Sequence, residues 1–150
     1  MRTINRDIVA AIIFSKDNKM LQALRASSGV YPGCWGIIGG GVDDGEDKRV
    51  ALDREFMEEA GIDISGYPAE IIDEAEGVSE KTLKDTGERV IAKMKFYTYK
   101  VVIDDKDSSD IKITLNDEHV QYRWSEISDL KDLKLTPPSV VLFKKLGYLN

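Results

Sequence analysis

Cysteine and histidine are nearly missing from this sequence: Cys34 and His119 are the only ones of their kind in 150 residues. A single cysteine excludes an intrachain disulfide and is consistent with a reducing cytoplasm, the compartment expected here. A cysteine nucleophile at Cys34 has little support, since His119 is remote in sequence and no third partner is evident. No apolar run approaches the ~20 residues that cross a bilayer, so no membrane partner is expected. Basic residues are outnumbered, 21 against 27, for a net charge of −6. That balance argues against a nucleic-acid polymer as partner, which would call for a basic patch. It leaves room for a small anionic substrate, because a bound metal ion inverts the local field. The opening run MRTINRDIVAAIIF lacks a small-residue cleavage site and alternates like a strand, so it reads as fold and not as a signal peptide. Internal repeats, linkers and low-complexity segments are also missing.

What is present suits one globular domain over residues 1–150, with 42% apolar and 32% charged residues. Arg6–Phe14 reads as a buried strand, Ser15–Asn18 as a turn, and Lys19–Arg25 as a returning strand of a hairpin. Pro32 and Gly33 punctuate a turn, after which Trp35 starts a short strand. Ala69–Ser79 is expected to be a strand beside Arg89–Val102, with a polar link, Glu80–Glu88, between them. In the latter strand Tyr97 and Tyr99 share one side, where they either pack on the sheet or border a nucleobase. Asp104–Asp110 reads as a solvated acidic loop. Thr136 and Pro137 open a closing helix that Gly147 ends.

The most informative stretch is GGGVDDGEDKRVALDREFMEEAGI, residues 39–62. A glycine triplet leads through a turn into a helix over Asp47–Ala60, with Gly61 as its C-terminal cap. Glu55, Glu58 and Glu59 fall in a wedge of roughly 100°, at the i, i+3, i+4 spacing of neighbours. Val50, Leu52, Phe56, Met57 and Ala60 are expected to form the buried face opposite them. Clustered carboxylates repel, either as a solvated acidic face or until a hard divalent cation such as Mg²⁺ takes them as oxygen ligands.

Gly40, Glu46, Arg54, Glu55, Phe56, Glu58, Glu59, Gly61 and Ile62 fill every fixed position of G-x5-E-x7-R-E-U-x-E-E-x-G-U, U being a bulky apolar residue. The segment therefore resembles the box of the Nudix hydrolases. The later run Glu118, His119, Trp124 is similar to that family's EH-x4-W strand, and YPGCWGIIGGGVDDGE looks most like its branch acting on pyrimidine deoxynucleoside triphosphates. Ile38 departs from the proline often found before the paired glycines, which leaves the loop shape open.

The resemblance implies a Nudix α/β/α sandwich, an α/β fold with a mixed sheet and a loop–helix–loop box. It also implies an enzyme that cleaves a nucleotide substrate with Mg²⁺, or Mn²⁺, as cofactor, acting as monomer or homodimer. By the same resemblance, Glu58, Glu59, Glu55, the Gly40 carbonyl and Glu118 are candidate metal ligands, and Glu118 or Glu55 the general base. Arg54 would orient the carboxylates and Glu46 support the loop. Arg25, at a strand end, is a candidate phosphate clamp or a surface arginine. Trp35 is either core or a base-stacking platform. Nucleotide-sugar or ADP-ribose hydrolysis, or nucleotide sensing without turnover, are the alternatives.

Overall fold

In a computed structural model that describes all 150 residues, strand β1, Arg2–Ser15, runs through the centre of a seven-stranded sheet. Its apolar residues alternate between two faces: Val9, Ala11 and Ile13 enter one core, while Ile12 and Phe14 enter another. Strand β2, Met20–Arg25, returns antiparallel to β1 after the turn at Asn18, which sits at φ 60°. Strands β3, Trp35–Gly36, and β4, Ile38–Gly41, follow; β4 pairs antiparallel with β1 from Ile8↔Gly41 to Ala11↔Ile38. Strand β5, Ala69–Thr82, and strand β6, Arg89–Ile103, pair antiparallel, and β6 lies parallel to β1 along its whole length. Strand β7, His119–Ser125, closes the far edge against β2. The sheet is mixed, as expected.

Helices cover both faces. Helix α1, Lys48–Ala60, packs Ala51, Leu52, Phe56 and Ala60 onto the larger core, together with Leu21, Ala23 and Val101. Helix α2, Pro137–Lys145, packs Leu142 and Phe143 against Ile12, Phe14 and Met20. The result is the α/β/α sandwich that the resemblance implies. Both expected caps are formed: the Thr136 hydroxyl accepts from the Ser139 amide at 3.3 Å, and Gly61 closes α1 at φ 65°, in the left-handed region that favours glycine.

Several expectations need correction. Val50 and Met57, expected on the buried face of α1, are 56% and 50% exposed. At about 100° per residue, the buried residues Ala51, Leu52, Phe56, Glu59 and Ala60 span an arc of about 180° centred near Glu59. The carboxylate wedge therefore overlaps the buried face, where sequence reasoning set the two opposite. Strand β5 also runs through Glu80–Thr82, so the polar link is shorter than expected. The acidic loop is anchored as well as solvated: Ser108 is buried and donates its amide and hydroxyl to Asp17 at 2.8 and 2.7 Å. The Ser15 hydroxyl, and then those bonds from Ser108, hold the Asp17 carboxyl well below the usual range. Tyr99 is buried in the larger core, and Tyr97 packs against it beneath the Lys48 ammonium, 4.8 Å from the ring centre.

Candidate active site

The site grows out of the contact between β4 and α1. The Glu55 carboxyl lies so close over Gly40 that a Cβ there would overlap it, so this position demands glycine for space. Arg54 then binds the helix to the loop before it. Its Nε and Nη2 donate to the two Glu46 carboxylate oxygens, each at 2.9 Å, in a bidentate fork. Nη2 also donates to the Gly41 carbonyl at 3.0 Å, and Nη1 to Glu55 at 3.0 Å and Glu58 at 3.4 Å. Glu46 accepts the Asp43 amide as well, at 3.0 Å, so one carboxylate steadies both the loop and the helix. The Arg54 bond pulls the Glu46 carboxyl down to about 2, and Glu46 in turn raises the Arg54 guanidinium.

One turn further on, partners run out. Glu59 is only 3% exposed, and its Oε2 has no hydrogen-bond partner. It stands in the last turn of α1, where the helix dipole is negative and no basic residue lies. Burial pushes its carboxyl far above the usual range, and the neighbouring Glu118 and Glu55 push it further. The Glu118 carboxyl is shifted the other way, lowered chiefly through its neighbour Glu59. Glu58 stays outside this group, with its side chain 55% exposed.

Glu118 arrives here by way of two latches on the end of α1. The Thr114 amide donates to the Ala60 carbonyl at 2.8 Å, and the Asn116 amide to the Glu59 carbonyl at 3.3 Å. The Asn116 side chain then accepts the Glu118 amide at 3.1 Å, turning the chain into β7. Val120 and Tyr122 are exposed, and Trp124 packs on the larger core. Pairing with β2 does the rest of the anchoring, and it sets Arg25 opposite His119. His119 is 4% exposed, and neither ring nitrogen has a partner. Burial, and then the Arg25 charge, lower its pKa, so the ring is neutral.

The structure thus brings Glu55, Glu59 and Glu118 together with Gly40, and sets Arg25 opposite His119 beside them, its Nε buried without a partner. Trp35 lies elsewhere, on the α2 core, with the Arg123 guanidinium 5.7 Å from its ring centre. Sequence reasoning missed His119 and Asn116 as residues of this region. In the sequence His119 stands out only through the family pattern, and its strand pairing with Arg25 crosses 94 positions of chain. Asn116 carried a weak signal, an Asn two residues before a glutamate, as in an Asx turn.

A buried carboxylate oxygen without a partner, beside two further carboxylates, is a donor set that fits a hard divalent ion. The profile of the NUDIX domain family matches residues 4–146. A nucleoside triphosphatase NudI from Klebsiella pneumoniae (strain 342) is 30% identical over 144 residues, covering 96% of this chain and 98% of that protein. Its namesake from Escherichia fergusonii is 31% identical over 130 residues, covering 87% and 88%. Among solved structures, the MutT protein from Methanosarcina mazei Go1 superposes with a TM-score of 0.65 at 19% identity, covering 98% of this chain and 96% of that one. The E. coli dihydroneopterin triphosphate pyrophosphohydrolase gives 0.64 at 19% identity, covering 87% and 86%. These two likenesses speak for the fold. No helix here is long and apolar enough to cross a membrane.

Proposed function

Because this chain belongs to the Nudix family, we propose that it hydrolyses a nucleoside triphosphate to the monophosphate and pyrophosphate, as a single catalytic unit over residues 1–150. The observation that carries this reading is the Glu59 carboxylate, buried at the negative end of α1 and bare at Oε2 beside Glu118. Relatives named as nucleoside triphosphatases over nearly the full chain favour it over nucleotide-sugar hydrolysis or sensing without turnover. Among triphosphates, the resemblance of residues 31–46 supports the pyrimidine deoxynucleotides dUTP, dTTP and dCTP.

In this reading Glu59, Glu55 and Glu118, with the Gly40 carbonyl and the exposed Glu58, hold Mg²⁺ or Mn²⁺. A bound ion of that kind supplies neutralisation of the diphosphate and a lowered pKa for water. Arg54 keeps Glu55 pointed over Gly40, since its fork is already fixed by Glu46. Glu118, the most accessible carboxylate of the inner group, accepts the proton of the attacking water. Arg25, opposite His119, holds the leaving phosphates. Water adds to the α-phosphorus, the bond to the bridging oxygen breaks, and pyrophosphate departs with the nucleoside monophosphate left behind.

Chromatography of the products from dUTP, dTTP and dCTP with Mg²⁺ tests the reading. Monophosphate and pyrophosphate in equal amounts are expected. A diphosphate with orthophosphate as first products, or no turnover of any nucleotide, would overturn it.

A further inference from the structure

We propose that Lys81, with Arg6 and Lys84, forms a phosphate clamp beside Glu118 that complements Arg25 and holds the far end of a triphosphate chain. Strand alternation and one turn gather these cations. Val9, Ala11 and Ile13 enter the larger core, so the even-numbered residues of β1 turn to the opposite face, Arg6 among them. Lys81 pairs with Val90 of β6, and Val90 with Arg2, which puts Lys81 on that same face. It is half-buried although Glu80 and Thr82 on either side are exposed. Lys84 follows in the turn that leads back to β6, where the Leu83 amide donates to the Glu88 carbonyl at 2.8 Å. Arg6 reaches the other way, so that a Cβ at Gly41 would stand 2.8 Å from its Nη2. The cluster extends from the glycine loop to the hairpin tip.

Nothing in the protein answers these charges. Two arginines at the same end of the sheet are paired, Arg2 with Glu88 at 2.8 Å and Arg89 with Glu80 at 2.9 Å. Arg6, Lys81 and Lys84 form no ion pair, in a chain with 27 acidic residues against 21 basic ones. Burial, and then the charges of Arg6 and Lys84, lower the Lys81 ammonium, as crowding without an anion requires. Lys84 reaches Glu118 as Arg25 does: Glu59 lowers that carboxyl most, and both cations add to the effect. The floor on this face is apolar, with Val90 and Ala92 fully buried, which strengthens any charge pair formed above it.

A triphosphate carries more negative charge than one divalent ion offsets, and lysine and arginine are the side chains that take phosphate oxygens. A free terminal phosphate presents the surplus at its end, whereas a diphosphate esterified on both sides does not. The clamp therefore selects a nucleoside triphosphate over a nucleotide sugar. It rests on the hydrolytic reading for the nucleotide, and on the cations alone for the phosphate chain.

Calorimetry with inorganic tripolyphosphate and Mg²⁺ tests the clamp without any nucleotide. Lys81→Met keeps an unbranched apolar stem and removes the charge. It is expected to weaken tripolyphosphate about 10–100-fold, the scale of one lost charged hydrogen bond, and orthophosphate far less. Lys84→Met, in the exposed turn, is expected to act in the same direction, so a poorly folded Lys81→Met would not shield the proposal. Lys93→Met removes the same charge from the exposed outer face of β6 and is expected to change neither affinity. With dUTP, Lys81→Met is expected to raise KM with Tm unchanged. Tripolyphosphate binding equal in Lys81→Met and the parent, or weakened as much by Lys93→Met, would overturn the proposal. The two readings fail separately. Protein that binds tripolyphosphate through Lys81 and cleaves no dUTP keeps the clamp and loses the hydrolysis. Cleavage of dUTP with KM unchanged in Lys81→Met loses the clamp alone.

Discussion

On one side of α1, Arg54 sets all three guanidinium nitrogens on oxygens of Glu46, Glu55, Glu58 and Gly41. One turn later, Glu59 Oε2 and both nitrogens of His119 are buried with nothing to bond. Helix α1 carries Arg54 and Glu59 alike, and β7 brings His119 to the second group. The difference is in pairing: the Arg54 side is complete within the protein, whereas the Glu59 side is left incomplete, with buried atoms that no protein group bonds. A folded chain retains such an incomplete group where binding makes use of it.

The strongest way to break the contrast is to remove charge from the incomplete side. Glu59→Gln is expected to lower kcat by about 10⁴-fold, since a metal site contributes several kcal/mol to the transition state. Circular dichroism should show the fold intact, because relief of carboxylate crowding offsets the lost ligand. A variant as fast as the parent would remove the box from the active site. Next in size, Glu118→Gln is expected to cost about 10³-fold in kcat with little change in Tm, the scale of general-base catalysis. If Glu118→Gln keeps full kcat and Glu55→Gln loses it, the base lies on α1 instead.

Changes on the completed side should act through stability and alignment. Arg54→Lys keeps the charge but not the fork, and is expected to lower kcat about tenfold and to lower Tm. The Glu46 carboxyl is held near 2, below its ordinary 4.5. Its contribution is therefore full above pH 4.5 and lost as the pH falls towards 2. The Tm deficit of Arg54→Lys should be clear at pH 7 and shrink at pH 3; an equal deficit at both would mean the fork contributes nothing to stability. Smallest of all, Arg25→Ala is expected to reduce kcat/KM several-fold with Tm unchanged. Unchanged kinetics would return Arg25 to the surface.

Local signals, alternation in β1 and β6 and the Thr136 cap, carried the elements, and the sandwich came with the family resemblance that nine box positions in one register support. It carried Arg54 and Glu46 for the same reason, since both lie within one loop and one helix. The depth of Glu59 was not legible. Helical periodicity reports which residues share a side, and Val50 and Met57 are as apolar as Leu52 and Phe56. Which side turns inward depends on the sheet beneath, and hence on strands far along the chain. His119 was hidden for a related reason, because its place depends on Glu59 of α1 and on a strand neighbour at Arg25.

The parallel ladder between β1 and β6 has a consequence for the order in which the molecule is made. Arg2 meets Val90 and Ser15 meets Ile103, so every rung joins residues 88 positions apart. Loop closure of that length must be completed before the rungs repay it, which places this protein among the slower-folding topologies. The whole box lies inside the loop. A ribosome that has delivered α1 has not yet delivered the strand that fixes β1, nor Glu118 and His119. The carboxylates of a nascent chain are thus left without the wall that gathers them until synthesis is nearly finished.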